Sequence, residues 1–115
     1  MGAVFETKGN ILLIHLAGEI DHHCVDEIRE DADHLIQQNK IRHVVFDYEN
    51  VSFMDSSGVG FVMGRYKQIN QKGGQALIIG SNQYIDKIFQ MSGIYIIMKK
   101  MDSFDDACQF LKEAR

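Results

Sequence analysis

The chain has 115 residues, 45% of them hydrophobic and 24% charged, with a formal net charge of −4. That length fits one domain spanning 1–115, with enough apolar side chains for a core. The acidic balance and the lack of a basic stripe speak against a nucleic-acid partner, and no apolar run approaches the roughly 20 residues of a membrane span.

The start, Met1-Gly2-Ala3-Val4-Phe5-Glu6, has neither a signal-peptide core nor the Ser or Thr that a myristoylation signal needs. Two distant cysteines, Cys24 and Cys108, suggest buried thiols in a reducing compartment, so a cytoplasmic protein is expected. The chain contains no proline, which argues against a Pro-rich linker or tail. It carries no internal repeat and no low-complexity tract.

In chain order, Val4 to Lys8 suits an edge strand and Gly9-Asn10 a hairpin turn. Ile11 to Leu16 is nearly all apolar, the pattern of a strand covered on both faces, and Gly18 should break it. From Asp21, a good N-cap, the period becomes helical: Val25, Ile28, Ala32, Leu35 and Ile36 recur on one face, and Asn39 offers a stop. His43 to Tyr48 is the next strand, and Val51 to Met54 a short extended piece.

A second helix follows, with Val59, Val62, Met63, Tyr66 and Ile69 inward and Gly73-Gly74 at its end. Ala76 to Ile79 is a buried strand. Ser81 can cap a short helix that turns Ile85, Ile88 and Phe89 inward and stops at Gly93. Ile94 to Met98 suits a last strand. Ser103 with Asp106 resembles a capping box for a final helix with Phe104, Ala107, Cys108 and Leu111 inward.

The order β, β, α, β, α, β, α, β, α implies an α/β fold: a mainly parallel sheet of four to five strands, an N-terminal hairpin and about four helices. In such folds function gathers on the loops that leave the C-terminal ends of strands. The loops 18–23 and 52–58 qualify, and they form one surface if their strands are neighbours.

Gly58-x-Gly60-x-x-x-Gly64 opens a helix as a dinucleotide-binding turn does, but the spacing is one residue too long for that fingerprint and no phosphate-loop Lys follows. Gly60 and Gly64 lie one turn apart, and close approach of the helix to the sheet or to a partner explains them better. A serine hydrolase would need Gly two residues before the nucleophile; Met54 and Asp55 stand there. His22-His23-Cys24 lacks the spacing that converges ligands on a metal, so no metal and no other cofactor is expected.

Asp55-Ser56-Ser57-Gly58 remains. Asp and Ser at a helix start are good caps. The same position exposes free N–H groups and the positive end of the helix dipole, where a phosphoserine adds charge to the surface without unfolding the chain. Asp55, Glu19 and Asp21 would gather acidic charge around the hydroxyls, which does nothing for stability. Phe53 and Met54, if exposed, would be contact residues. On the residues alone, Ser56 and Ser57 are equally eligible.

Gly18-Glu19-Ile20-Asp21-His22-His23, then Ser52 to Gly60, then Gly64-Arg65-Tyr66-Lys67-Gln68-Ile69 resemble the STAS domain of anti-sigma factor antagonists, and within it the sporulation branch of the sigma-F pathway. Phe89-Gln90-Met91-Ser92-Gly93 is similar to that family as well; the C-terminal helix matches least. The resemblance covers essentially the whole chain.

It implies a non-enzyme, expected as a monomer, that binds an anti-sigma factor which is also a serine kinase and so releases the sigma factor. The kinase would then phosphorylate Ser56 and the phosphoprotein would dissociate. A metal-dependent serine phosphatase would reset it. Asp55 would flank the acceptor, with Ser57 and Gly58 beside it. Glu19, Asp21 and His22 would line the same face, and Gly60 and Arg65 would extend it. Other STAS pathways, including general stress, signalling scaffolds and lipid transport, are the alternative, followed by a small nucleotide-binding protein.

Overall fold

A computed structural model describes residues 2–113. β1 (Gly2–Lys8) and β2 (Ile11–Ile20) form an antiparallel hairpin about Gly9, which takes φ 61°. α1 (His22–Ile36), β3 (His43–Met54), α2 (Ser56–Gln71), β4 (Ala76–Ile79), α3 (Gln83–Met91), α4 (Ile94–Ile97), β5 (Lys99–Lys100) and α5 (Phe104–Glu113) follow. The sheet has five strands in the order β1-β2-β3-β4-β5, and β2 through β5 are parallel.

Each parallel crossover steps one strand in the same direction. Crossovers of one hand must then put their helices on one face. The core divides accordingly. Leu12, Ile14 and Leu16 of β2 join the larger cluster, with Val25, Ile28, Val62, Ile85 and Phe89 from the helices. Ile11 and Leu13 point the other way, into a smaller cluster closed by Ala107 and Leu111 of α5. This is why the apolar run of β2 does not alternate: both faces are covered where α5 reaches.

Several expectations are corrected. β2 does not stop at Gly18 but passes through it at φ 79° and pairs as far as Ile20 with Met54, through register shifts at His15/Ala17 and Gly18/Glu19. The two extended pieces on either side of Glu49-Asn50 are one strand, because Asn50 and Val51 pair with Ala17 and Gly18. α1 ends at Ile36 with Gln37 as cap, short of Asn39; Lys72 Nζ, from the end of α2, bonds the Ile36 and Gln38 carbonyls at 2.5 and 3.1 Å.

Asn82, not Ser81, caps α3, accepting from the Ile85 N–H at 2.9 Å. Ile94 to Met98 is not a strand. Gly93, at φ 83°, starts the single turn of α4; Ile94 is buried while Ile96 is 87% exposed, which a central strand would not allow. The pairing with β4 falls to Lys99 and Lys100, a short charged edge. Both cysteines are half-buried rather than buried.

Candidate functional site

The site is assembled by two adjacent parallel strands that end together. Glu19 pairs with Phe53 and Ile20 with Met54, and the Asp55 N–H donates to the Ile20 carbonyl at 3.2 Å. α1 and α2 therefore begin side by side at the C-terminal edge of the sheet, with their positive ends toward one surface. The two loops singled out in the sequence do form one face.

Each helix is capped by aspartate. Asp21 accepts from the His23 N–H at 3.0 Å, and Asp55 Oδ1 from the Ser57 N–H at 2.8 Å. So neither serine makes the cap. Ser56 is exposed and Ser57 half-buried, and among the described residues no hydrogen bond ties down the Ser56 hydroxyl. The Gly58 N–H is also taken, by the Asp55 carbonyl at 3.0 Å. A phosphate on Ser56 would thus point outward beside the Asp55 carboxylate instead of settling onto these N–H groups.

His22 Nδ1 stands 3.9 Å from Asp55 Oδ2 and links the two helix starts; its ring lies 4.0 Å from that of His23. Partial desolvation pushes the Asp55 carboxyl up, but hydrogen bonding from Ser57 and the neighbouring His22 outweigh it, and the group titrates below its ordinary value. Glu19 is exposed on the same edge.

Gly58 is buried: a Cβ there would collide with the Met54 side chain, its Sδ only 2.6 Å away, and reach Ile20 Cγ2 at 3.3 Å. It seats α2 against the strand ends. Gly60 is exposed with open space around it. Phe53 is 44% exposed, whereas Met54 is buried and cannot be a contact residue.

Arg65 does not join the face. It is buried in the seam between α1 and α2, its Nε 2.8 Å from Asp33 Oδ1 and its guanidinium 5.1 Å from the Phe61 ring centre. The Nε contact has the distance of an ion pair without hydrogen-bond alignment, and Nη1 also lacks a partner among the described residues. Gln68 Nε2 donates to the same Asp33 oxygen at 2.7 Å. Arg65 acts on the face only by holding α2 to α1.

One residue was invisible from the sequence. Tyr84, at the start of α3, is 44% exposed and its hydroxyl lies 3.3 Å from the Met54 carbonyl, 30 positions away, so α3 extends the same surface. Only the strand order could have revealed it.

Ser56 is exposed, and it lines neither the cleft of about 640 Å³ beside α5 nor the one of about 110 Å³ beside β1. Among the described residues no group of three or more His, Cys, Asp or Glu side chains could hold a metal ion, and no helix is long and apolar enough to cross a membrane.

A parallel sheet whose helix starts present an aspartate-capped, solvent-facing serine defines a recognisable class. The STAS domain family model matches residues 3–107, and the chain belongs to that family. It is 42% identical over 98 residues to the anti-sigma F factor antagonist of Paenibacillus polymyxa, a match covering 85% of this chain and 84% of that protein. Among solved structures it resembles the anti-sigma factor antagonist SpoIIAA in its unphosphorylated form, with TM-score 0.80 and 29% identity over 96% of this chain and 98% of that one. The Bacillus cell fate determinant SpoIIAA in its phosphorylated form matches with TM-score 0.77 and 30% identity over 95% and 99% of the two chains.

Proposed function

We propose that this chain is an anti-sigma factor antagonist switched by phosphorylation of Ser56. Unphosphorylated, it binds an anti-sigma factor that is also a serine kinase, and the sigma factor is released. Phosphorylated, it dissociates, and a metal-dependent serine phosphatase resets it. The chain is a substrate and a binding partner in this scheme, without catalytic work of its own. The likeness to SpoIIAA, a protein solved in both phosphorylation states, and to an anti-sigma F factor antagonist supports the sigma-F branch.

The observation that carries the reading is the division of labour at the start of α2. Asp55 satisfies the helix terminus, so Ser56 is free to be modified without loosening the fold. The added phosphate brings about −2 of charge next to Asp55, Asp21 and Glu19. It acts by excluding a partner sterically and electrostatically, with little change in the chain itself. Glu19, Asp21, His22, Ser57 and Gly60 supply the contact face, extended by Phe53 and Tyr84; Asp55 orients, Gly58 seats the helix and Arg65 braces it.

The test mixes the purified chain with the anti-sigma kinase of the same genome and ATP, followed by intact mass and peptide mapping. One phosphoryl group on Ser56, with release of the complex, is the expected result. Ser56→Ala should fold, bind and stay bound in ATP, and Ser56→Asp should bind more than about a hundredfold more weakly, a loss of about 3 kcal/mol. Modification that persists in Ser56→Ala and disappears in Ser57→Ala would overturn the assignment.

A further inference from the structure

At the opposite end of the sheet, where β2 and β3 begin, a cleft of about 640 Å³ opens between the strand starts and α5. Its volume is within the range of small-molecule sites. Strands β2 and β3 are parallel, so the cleft and Ser56 are separated by the length of β2, on the order of 30 Å. Nothing in the proposed switch uses it.

The lining has a consistent chemistry. Ile11, Phe104 and Leu111 give it an apolar floor, and the charged side chains that line it are cationic: Lys8, Arg42 and Lys112. His43 also lines it and is 7% exposed. Its Nδ1 accepts from the Gln75 N–H at 3.0 Å, which fixes the neutral tautomer with the proton on Nε2. Burial and the nearby Arg42 hold this imidazole below its ordinary value, so it stays neutral at pH 7. His43 therefore offers the cleft an Nε2–H donor that makes no hydrogen bond among the described residues, in a lining whose charged side chains are cations.

Arg42 is partly committed, donating to the Gly73 carbonyl at 3.1 Å, and Lys8 Nζ rests 5.7 Å from the Phe104 ring centre. Asp105 is the acidic neighbour felt there: with burial, it pushes the Cys108 thiol up, so Cys108 contributes bulk and not a thiolate.

We propose that this cleft is a binding site for a small amphiphilic carboxylate, its hydrocarbon on Ile11, Phe104 and Leu111 and its head between His43 and the surrounding cations. An uncharged hydrocarbon would leave the cations unused, and a bare anion would leave the floor in water.

The test is a titration of the full-length, 15N-labelled chain with decanoate, kept below its micelle concentration, followed by amide chemical shifts. Saturable shifts at Ile11, Phe104 and Leu111, with none at Ser56 to Gly60, are expected. Lys8 and Lys112 are exposed, so Lys8→Gln/Lys112→Gln should fold normally and bind about tenfold more weakly, as loss of two partly screened charges implies. Decanol should bind at least as weakly to the unmodified chain.

Absence of shifts at millimolar decanoate would overturn the proposal. Equal affinity for decanol and decanoate would remove the anionic head from it, and tighter binding of inorganic phosphate than of decanoate would remove the hydrocarbon. Either result also overturns it.

Discussion

Tyr48 is fully buried in the larger core cluster, edge-on to Phe89 at 5.2 Å, and its hydroxyl has no partner among the described residues. A lone buried hydroxyl costs free energy that its ring does not. Tyr48→Phe should leave stability unchanged or raise it by about 1 kcal/mol, read from urea unfolding; a clear loss would mean the hydroxyl is bonded after all. The Asp33–Arg65 pair behaves oppositely. Asp33→Ala leaves a buried guanidinium uncompensated and should cost about 3 kcal/mol, whereas Asp33→Ala/Arg65→Met should recover most of that.

Two histidines tilt stability with pH in opposite senses. His15 lies between Glu6 at 2.6 Å and Asp47 at 2.8 Å on the part of the sheet that α5 leaves open. The Glu6 hydrogen bond, opposed by burial and joined by Asp47, raises its pKa. Its contribution is complete below the unfolded value of about 6.5 and is lost as pH rises through the folded value. His43 is lowered by burial and Arg42, so its contribution is complete above about 6.5 and lost as pH falls. Unfolding free energy against pH should therefore peak near neutrality, and His15→Gln should flatten the alkaline limb alone.

At the scale of elements, α2 carries glycines with opposite duties. Gly58→Ala drives a methyl into buried Met54 and should cost about 1–3 kcal/mol. Gly60→Ala meets nothing within 4 Å and gains helix propensity, about 0.5–1 kcal/mol of stabilisation by thermal unfolding. The sequence spacing argued against a nucleotide loop at these glycines, but did not say which one faced in. The helices of 3.6 period were legible because their apolar residues repeat on the buried face, and strands β2 and β4 because they are short apolar runs bounded by turn residues and covered on both faces. Ile94 to Met98 was not: an unbroken apolar run has no period, and Gly93 in the left-handed region decided for a helical turn.

For the whole molecule, the alternation of strands and helices was enough to imply the mainly parallel sheet, but the loops after β2 and β3 would meet only if those strands were neighbours, and the pairing of β2 with β3 supplies that condition. Charge placed Asp21 beside Asp55 and Ser56, and the family resemblance added His22. Buried Arg65 and the Tyr84 contribution depended on pairwise packing between distant residues, which no local pattern encodes, whereas the cap by Asp55 is local and the sequence offered Asp55 and the two serines for it alike. A chain without proline has no prolyl isomerisation to wait for, so refolding from urea should finish without a phase lasting tens of seconds.

The cap by Asp55 has a consequence for the lifetime of the protein. Because the helix terminus is satisfied whether or not Ser56 carries a phosphate, the two forms should open equally seldom, and proteases that act on the opened chain would degrade them at the same rate. Turnover is then blind to the proposed modification, and switching redistributes the pool between its two forms without draining either one faster.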